Sequence, residues 1–407
     1  MKVSRRRLLL VPVMALAAAM GIAGSIVPAG AQTVIKIGID LPVSGADAAS
    51  GVPTQNGAML AIEQANKTAP KGIVFAAVAL DDAVGGKHNP QQGANNLKSL
   101  VADPQVLGVV GPFNSNVATA EIPISNLAGL VQVSPSNTNP DLTKTAKFRT
   151  AHPNVINYFR VCTTDLIQGR AGATFARQQG FKKAYILDDN ETYGKGLADV
   201  FEKDFKAMGG TVLGHEHITA DQQDFKSLLS KVAATNPDVL YWGGVFSTGG
   251  GLIRQQMAAA GMDPAKVAFF SGDDFPSNPA YLKLAGAAAA NTFATLPAPD
   301  VSRIPAAKKF VADYTARFKS DVGGYSPGAY VSAQVIINGI RTAMKQNGGK
   351  VPTRAAVIKA VHAEKVKSII GNFAFDKNGD TTNPLISLWT VKNGKWEFSK
   401  QINVATK

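Results

Sequence analysis

The sequence predicts an α/β protein with two doubly wound lobes. Strand-like and helix-like segments alternate along the chain, and the pattern restarts after Arg160 in a second run of similar size. The 407 residues are 45% hydrophobic, which is enough to build two separate cores. No low-complexity linker separates the two runs, so we expect several short strand-like crossovers between the lobes.

The first run begins with TVIKIGIDL, whose apolar and β-branched residues are typical of a strand. Two further strands end in polar turns, and long helix patterns at 306–319 and 328–346 return to this lobe. We therefore assign residues 32–159 and 298–386 to lobe 1. The earlier elements predicted for this lobe are strands at 33–41 and 73–81 and helices at 55–67 and 90–102.

The second run alternates helix and strand patterns in the same way, and closing strand patterns at 385–391 and 395–398 complete it. We assign residues 160–297 and 387–407 to this second lobe, lobe 2. Its predicted elements are helices at 168–179, 195–208, 225–234 and 252–260 and strands at 183–188, 211–218, 238–243 and 267–271. The three crossovers between the lobes are expected near Arg160, Pro297 and Ser387.

Two consecutive strands of the first run end in turns rich in hydroxyl and amide side chains. They read LGVVGPFNSNVATAEIPISNLAG and LVQVSPSNTNPDLT, so Ser115 and Thr138 each lie just past an apolar run. At the carboxyl edge of a parallel sheet, such turns offer free backbone N–H groups, a helix dipole and hydroxyls to a carboxylate. The pattern predicts a receptor for a small anion. The alternative is that Ser115, Asn116 and Thr138 are ordinary helix caps.

The N-terminal segment is typical of a secretory signal. Residues 2–10 read KVSRRRLLL, a long apolar run follows, and the small residues Ala29-Gly30-Ala31 precede Gln32. We expect residues 1–31 to be a cleavable signal peptide for the general secretion route. The alternatives are twin-arginine export, since Ser4-Arg5-Arg6 partly matches that signal, and an uncleaved anchor, since the apolar run approaches the ~20 residues that span a bilayer.

Charge and cysteine content limit the partners. Four of the 42 Lys and Arg residues lie within residues 1–31, so 38 remain against 29 Asp and Glu, a net charge of +9. These basic residues are dispersed over amphipathic helices, so we expect no nucleic-acid partner. The single cysteine, Cys162, excludes an internal disulfide, and a buried small side chain is preferred over a reactive thiol.

Motifs for catalysis are absent from the sequence, which has no G-x-S-x-G elbow, no P-loop and no G-x-G-x-x-G after a strand. The pairs Asp81-Asp82 and Asp188-Asp189 are best explained as polar exits from strands. His215-Glu216-His217 places two imidazoles on one side of a strand, but without a third ligand in register we favour an exposed polar face over a metal site. We expect no catalytic residue, no bound metal and no cofactor.

Nine segments occur in a characteristic order along the mature chain. They are IKIGIDLPVSG, NGAMLAIEQAN, DDAVGGKHNPQQGANNL, GVVGPFNSN, SPSNTNPDLT, DDNETYGKGLADVFEKDF, ITADQQDFKSLLSKV, YWGGV and IIGNFAFDKNGD. The ordered set resembles the periplasmic branched-chain amino-acid binding proteins, the type I solute receptors of ABC importers. The resemblance implies a type I periplasmic binding protein fold, in which two Rossmann-like lobes are joined by three crossovers and close on a ligand by hinge rotation.

The resemblance also implies roles for individual residues. Ser115 matches the serine that binds the ligand carboxylate, with Asn114 beside it. Thr138 matches a threonine that contacts both carboxylate and ammonium, and the carbonyl of Ser136 lies where an ammonium acceptor is expected. Tyr193 matches an aromatic residue of the second lobe that covers the ligand.

Departures from the family pattern affect specificity. Asp274 falls where the family usually has a glutamate opposite the ammonium, and Asp273 is the alternative. Ser50 replaces a ring that often stacks on the ligand, and Val245, followed by Phe246, replaces another. These changes reshape the side-chain pocket, so we do not expect leucine, isoleucine or valine in particular, and related receptors bind amides, urea or aromatic acids.

The resemblance implies a periplasmic solute-binding protein that delivers an amino acid, or a related small carboxylate or amide, to an ABC permease in the inner membrane. We expect a monomer. A periplasmic sensor module that presents its ligand to a membrane receptor is the alternative, and an exported enzyme is a third class.

Overall fold

The computed structural model describes residues 32–219 and 221–403. Within them, a five-stranded sheet lies in lobe 1 and a seven-stranded sheet lies in lobe 2, with two small two-stranded sheets besides. The expected signal peptide at 1–31 lies outside the described residues. No helix of the described part is both long and apolar enough to cross a membrane.

The strands and helices are numbered in chain order over the described residues. The strands are β1 (Thr33–Leu41), β2 (Ile73–Asp81), β3 (Ala83–Val84), β4 (Lys87–His88), β5 (Val106–Val110), β6 (Val131–Ser134), β7 (Tyr158–Arg160), β8 (Lys183–Asp188), β9 (Thr211–His217), β10 (Val239–Gly243), β11 (Ala268–Ser271), β12 (Thr292–Leu296), β13 (Lys365–Ser368), β14 (Gly371–Ala374), β15 (Leu385–Lys392) and β16 (Lys395–Asn403). The α-helices are α1 (Ala48–Asn66), α2 (Pro90–Ala102), α3 (Ser115–Leu127), α4 (Asp141–Lys144), α5 (Asp165–Gln178), α6 (Thr192–Ala207), α7 (Lys226–Ala234), α8 (Gly251–Met257), α9 (Asp274–Ser277), α10 (Pro279–Ala285), α11 (Lys308–Phe318), α12 (Ser326–Gln346) and α13 (Arg354–His362).

Both large sheets have a strand order that reverses at one point. The sheet of lobe 1 is parallel with the order β2-β1-β5-β6-β7. The sheet of lobe 2 runs β9-β8-β10-β11-β12 in parallel, and the antiparallel strands β15 and β16 extend it. In open α/β sheets, ligands bind outside the carboxyl ends of the strands at such a reversal. Here the reversals lie beside β1 in lobe 1 and beside β8 in lobe 2.

The chain passes between the two sheets three times: after β7, after β12 and before β15. Between the second and third passages, α12 packs against α1, β5 and β6, so this part of the chain completes lobe 1. The strands that end the described chain return to lobe 2.

The central strands are buried on both faces, which explains why they read as continuous apolar runs. All five residues of β5 are buried, and so are all five of β10. Successive strand residues point to opposite faces, so Tyr241 and Trp242 belong to separate cores on the two sides of the lobe 2 sheet. Each fully buried large apolar side chain contributes about 1.5 to 3 kcal/mol to folding.

The bounds of β1, β2, α2 and β8 agree with those predicted from the sequence. The largest difference is α1, which begins at Ala48 instead of residue 55. Gly51 and Pro53 are typical of a loop, but here they lie inside the helix. A Cβ on Gly51 would lie only 1.7 Å from the carbonyl oxygen of Pro42, so this glycine permits close packing of α1 on the loop after β1.

Candidate ligand-binding site

A narrow cavity lies between the lobes, beyond the carboxyl ends of both sheets. One wall follows β5 and β6 of lobe 1, and the facing wall follows β8, β10 and β11 of lobe 2. The residues that line it are Phe113, Asn114, Ser115, Ser136, Tyr193, Val245, Asp273 and Tyr325.

The lobe 1 wall presents the start of helix α3. Asn114 has extended backbone dihedrals, so α3 begins at Ser115. The backbone N–H groups of Ser115 and Asn116 have no acceptor within the helix, whereas that of Val117 donates to Asn116 Oδ1 at 2.9 Å. The side chain of Asn114 does not cap the helix, and its buried Oδ1 atom has no hydrogen-bond partner. This wall therefore combines N–H donors, the positive end of a helix dipole and a hydroxyl, which suits a carboxylate.

Hydrogen bonds tie the two polar turns of lobe 1 together. The backbone N–H groups of Ser136 and Asn137 donate to Ser134 Oγ at 3.2 and 3.0 Å. Ser134 Oγ in turn donates to the carbonyl of Pro112 at 2.9 Å. The Asn137 amide donates to the carbonyl of Phe113 at 2.7 Å. The turn after β6 is thereby fixed against the turn after β5, and the wall is preorganised.

A buried arginine supports the turn after β6 from beneath. Arg160 Nη1 donates to the carbonyls of Asn137 and Asn139 at 3.1 and 2.7 Å, and its Nε lies 2.6 Å from Asp380 Oδ1. Thr138 lies between these two carbonyls in the chain. It is buried and its hydroxyl has no hydrogen-bond partner, but it is not among the residues that line the cavity.

The lobe 2 wall presents a carboxyl group and an aromatic ring. Asp273 Oδ2 accepts a hydrogen bond from Tyr325 at 2.7 Å, and the Asp273 backbone N–H donates to the hydroxyl of Tyr193 at 3.2 Å. Burial raises the pKa of Asp273 to about 7, although the hydrogen bonds of both tyrosines favour the charged form. A cation placed in the cavity would favour the carboxylate further.

Asp274 makes a different contact, at the rim of the cavity. Its Oδ1 accepts a hydrogen bond from Ser50 on α1 at 2.6 Å, and its Oδ2 accepts one from the backbone N–H of Phe246 at 2.8 Å. Ser50 belongs to lobe 1, so this contact joins the lobes. The structure thus brings together three residues predicted for the site, and none of the three lines the cavity.

A histidine forms a second contact between the lobes at the rim. His88 Nδ1 lies 2.8 Å from Asp47 Oδ2 in lobe 1, and His88 Nε2 lies 2.9 Å from Glu191 Oε2 in lobe 2. Asn116 also donates to Glu191 Oε2, at 3.1 Å. Burial lowers the pKa of His88, but its hydrogen bonds to the two carboxylates outweigh this and hold the pKa well above the usual value. The described conformation is therefore closed, with an imidazolium between the lobes.

The sequence-predicted site residues fall into two groups. Asn114, Ser115, Ser136 and Tyr193 line the cavity, whereas Ser50, Phe246 and Asp274 lie at the rim and Thr138 is buried without lining the cavity.

Three lining residues were not named as ligand-binding residues from the sequence. Phe113 directly precedes Asn114, so its position in the polar turn was a usable signal. Val245 carried one as well, because the resemblance places it where a ligand-stacking ring is often found. Tyr325 carries none, because an isolated aromatic residue after a loop is common in any core.

The chain matches known proteins over most of its length. The profile described as periplasmic binding protein matches residues 34–395. The Leu/Ile/Val-binding protein homolog 3 of Brucella melitensis biotype 1 is 30% identical over 364 residues, which cover 89% of this chain and 92% of that protein.

Solved structures give the same result for the fold. The leucine-binding protein LivK of Thermotoga maritima MSB8 has a TM-score of 0.79 at 25% identity, over 91% of this chain and 99% of that one. A solute-binding protein of an ABC transporter from R. palustris, in complex with 4-hydroxybenzoate, has a TM-score of 0.77 at 22% identity, over 91% and 96%. These similarities confirm the fold class and the resemblance predicted from the sequence.

Proposed function

This chain belongs to the periplasmic binding protein family, and on that premise we propose that it is the substrate-binding protein of an ABC importer that captures a small amino acid between its lobes. The family and fold are those of substrate-binding proteins and not of enzymes. We propose no catalytic role for any residue.

The observation that carries the proposal is the pairing of two opposite walls in one cavity. The start of α3 at Ser115 supplies donors for the ligand carboxylate, and Asp273 on the other lobe supplies a negative charge for the ammonium. The carbonyl of Ser136 is a second ammonium acceptor. Because the two ends of one small molecule bind to different lobes, the ligand favours the closed conformation over the open one.

The rest of the cavity indicates the type of side chain. Phe113, Val245 and Tyr325 are apolar or aromatic, which suits a ligand with a short apolar side chain. Two rings and one branched side chain, around a short apolar group of the ligand, favour a branched-chain amino acid. This agrees with the names of the relatives. This proposal reverses the expectation from the sequence, which argued against leucine, isoleucine or valine.

A second candidate ligand is a hydroxylated aromatic carboxylate, as bound by the similar R. palustris protein. A pKa of about 7 for Asp273 makes its neutral form accessible, and a neutral carboxyl group can donate to a phenol oxygen. We favour the amino acid because its ammonium group would pair with the charged form of Asp273.

The remaining parts of the proposal concern location and partners. We propose that residues 1–31 are removed before Gln32, that the mature chain is a periplasmic monomer, and that an ABC permease recognises its closed form. Mass spectrometry of the exported protein tests the cleavage. An importer operon beside the gene favours transport over a sensor role.

A thermal-shift screen of the mature chain tests the ligand class. The set contains branched-chain amino acids, other amino acids, amides, and benzoate with its hydroxylated derivatives. A ligand at 100 times its Kd adds about 2.7 kcal/mol to the free energy of unfolding. We expect a branched-chain amino acid to give the largest shift. A shift from aromatic acids alone favours the second candidate, and no shift from any compound contradicts the proposed function.

A further inference from the structure

A cluster of two histidines and an aspartate lies in lobe 2, outside the residues that line the cavity. The register of β8 and β9 pairs Asp188 with His217, and His215 lies two residues earlier on the same face of β9. His215 Nε2 lies 2.7 Å from Asp188 Oδ2, and His217 Nδ1 lies 2.8 Å from both Asp188 oxygens. Asp188 is therefore a third possible metal ligand. The sequence alone does not reveal that it lies beside the two histidines.

His215 lies between two carboxylates, and a neutral imidazole cannot donate to both of them. Its other nitrogen, Nδ1, lies 2.6 Å from Glu202 Oε2 on α6. A neutral imidazole carries a single N–H and cannot donate to two carboxylates. If Nδ1 donates to Glu202, the lone pair of Nε2 faces Asp188 unless a proton or a metal ion lies between them.

The contact between His215 and Glu202 is the kind of second contact that holds a metal-binding histidine in place. Metal-binding histidines usually donate their second N–H to a carboxylate, which fixes the ring and its tautomer. Glu202 provides that partner for His215. Asp188 is itself held by the backbone N–H of Asn190, which donates to Asp188 Oδ1 at 2.7 Å.

We propose that Asp188, His215 and His217 bind a divalent transition-metal ion, with Zn²⁺ the best match. Two imidazole nitrogens and one carboxylate oxygen are a common three-ligand set for zinc. The three donor atoms lie within 4.8 Å of one another. A tetrahedral zinc with bonds of about 2.0 to 2.2 Å separates its ligand atoms by roughly 3.3 to 3.6 Å, so a small rotation of the side chains admits the ion.

Exposure of the three side chains increases from Asp188 to His217, which leaves a path for an ion to enter the cluster. The side chain of Asp188 is 0% exposed, that of His215 is 12% exposed and that of His217 is 45% exposed. The ion therefore has an open side for a water ligand. Bound there, it would link β8, β9 and, through Glu202, α6, and so stabilise lobe 2 independently of the cavity.

Isothermal titration of the untagged, chelator-treated mature chain with Zn²⁺ tests the proposal, and Co²⁺ gives an absorption spectrum that reports the ligand set. We expect one ion per chain and a rise in Tm with Zn²⁺. We expect His215→Ala and His217→Ala to lower the affinity for Zn²⁺ at least about tenfold, and Glu202→Gln to lower it about 10- to 100-fold. His152→Ala, which removes an exposed ring in lobe 1, is the matched control and should bind as wild type.

The ring of His217 is half-exposed and is not required for packing, so we expect His217→Ala to fold. Circular dichroism without metal checks that it does. Two results overturn the proposal: no stoichiometric binding of Zn²⁺ by the wild type, or binding that His215→Ala and His217→Ala leave unchanged. Neither result depends on the amino-acid site.

Discussion

The cavity and the rim of the cleft contain the same kinds of polar group and use them differently. At the rim, Asp274 and His88 bind groups of the opposite lobe, so the protein satisfies these charges itself when it closes. In the cavity, the N–H groups of Ser115 and Asn116 and the Oδ1 atom of Asn114 are left for a ligand, whereas Asp273 faces the same space and already accepts a hydrogen bond from Tyr325 of lobe 1. The rim therefore favours closure in general, whereas the cavity adds a contribution to closure that depends on the ligand.

Replacing the cavity carboxylate should have the largest effect on binding. Asp273→Asn leaves the ligand ammonium without its negative partner in a closed cavity, which should cost about 2 to 5 kcal/mol of binding free energy. Isothermal titration with the ligand from the screen measures the loss.

Asp274→Asn is the matched control, because this carboxylate is one residue away but belongs to the rim. We expect it to change the binding free energy by about 1 kcal/mol or less, since the ligand does not contact it. Equal losses in the two variants, or a larger loss for Asp274→Asn, would remove the distinction between cavity and rim.

The carboxylate wall should show the next largest effect. Ser115→Ala removes a hydroxyl donor to a charged group and should weaken binding by about 1.5 to 3 kcal/mol. Thr119→Ala, on the same helix, removes a hydroxyl that donates to the carbonyl of Asn116, and it should bind as wild type. Unchanged affinity in Ser115→Ala would place the ligand carboxylate elsewhere.

At the rim, a smaller effect is expected. His88→Gln removes the positive charge between Asp47 and Glu191, but the glutamine amide can still donate to one of these carboxylates, which limits the cost to about 1 kcal/mol of binding free energy. Small-angle scattering of the unliganded protein should give a larger radius of gyration than wild type. His362→Gln, in lobe 1 and away from the cleft, should leave the radius unchanged. The same result for both variants would show that His88 does not hold the lobes together.

The rim contact should also depend on pH. The pKa of His88 is raised in the closed state, so its contribution is complete below its usual value of about 6.5 and is lost as the pH rises through the raised value. The pKa of Asp47 is lowered because hydrogen bonds from His88 outweigh the effect of burial, so its contribution is lost only in acid. We expect the unliganded wild type to open as the pH rises from 6 through the raised pKa of His88, and His88→Gln to lack this change. Scattering over a series of pH values measures it.

Much of the fold could be predicted because local patterns report it. Strands such as β1 are buried on both faces and read as unbroken apolar runs, and the carboxyl-edge turn at Ser115 follows from where β5 ends. The start of α1 could not be predicted, because Gly51 looks like a helix breaker until its contact with Pro42 is known.

The site was only partly predictable, because its remaining features depend on tertiary structure. Asp273 and Asp274 both follow β11, and only the packing of α1 on lobe 2 separates the cavity carboxylate from the rim carboxylate. Tyr325 reaches the cavity from the start of α12, far along the chain. The pairing of Asp188 with His217 depends on the register of two strands separated by a helix.

The crystal structure of the mature chain with the tightest-binding ligand of the screen tests the central claim most directly. We expect the ligand carboxylate to lie within hydrogen-bond distance of Ser115 and the start of α3, and the ammonium to lie beside Asp273, with Asp274 still bound to Ser50. A ligand ammonium beside Asp274, or a ligand that contacts only one lobe, would contradict this account of the site.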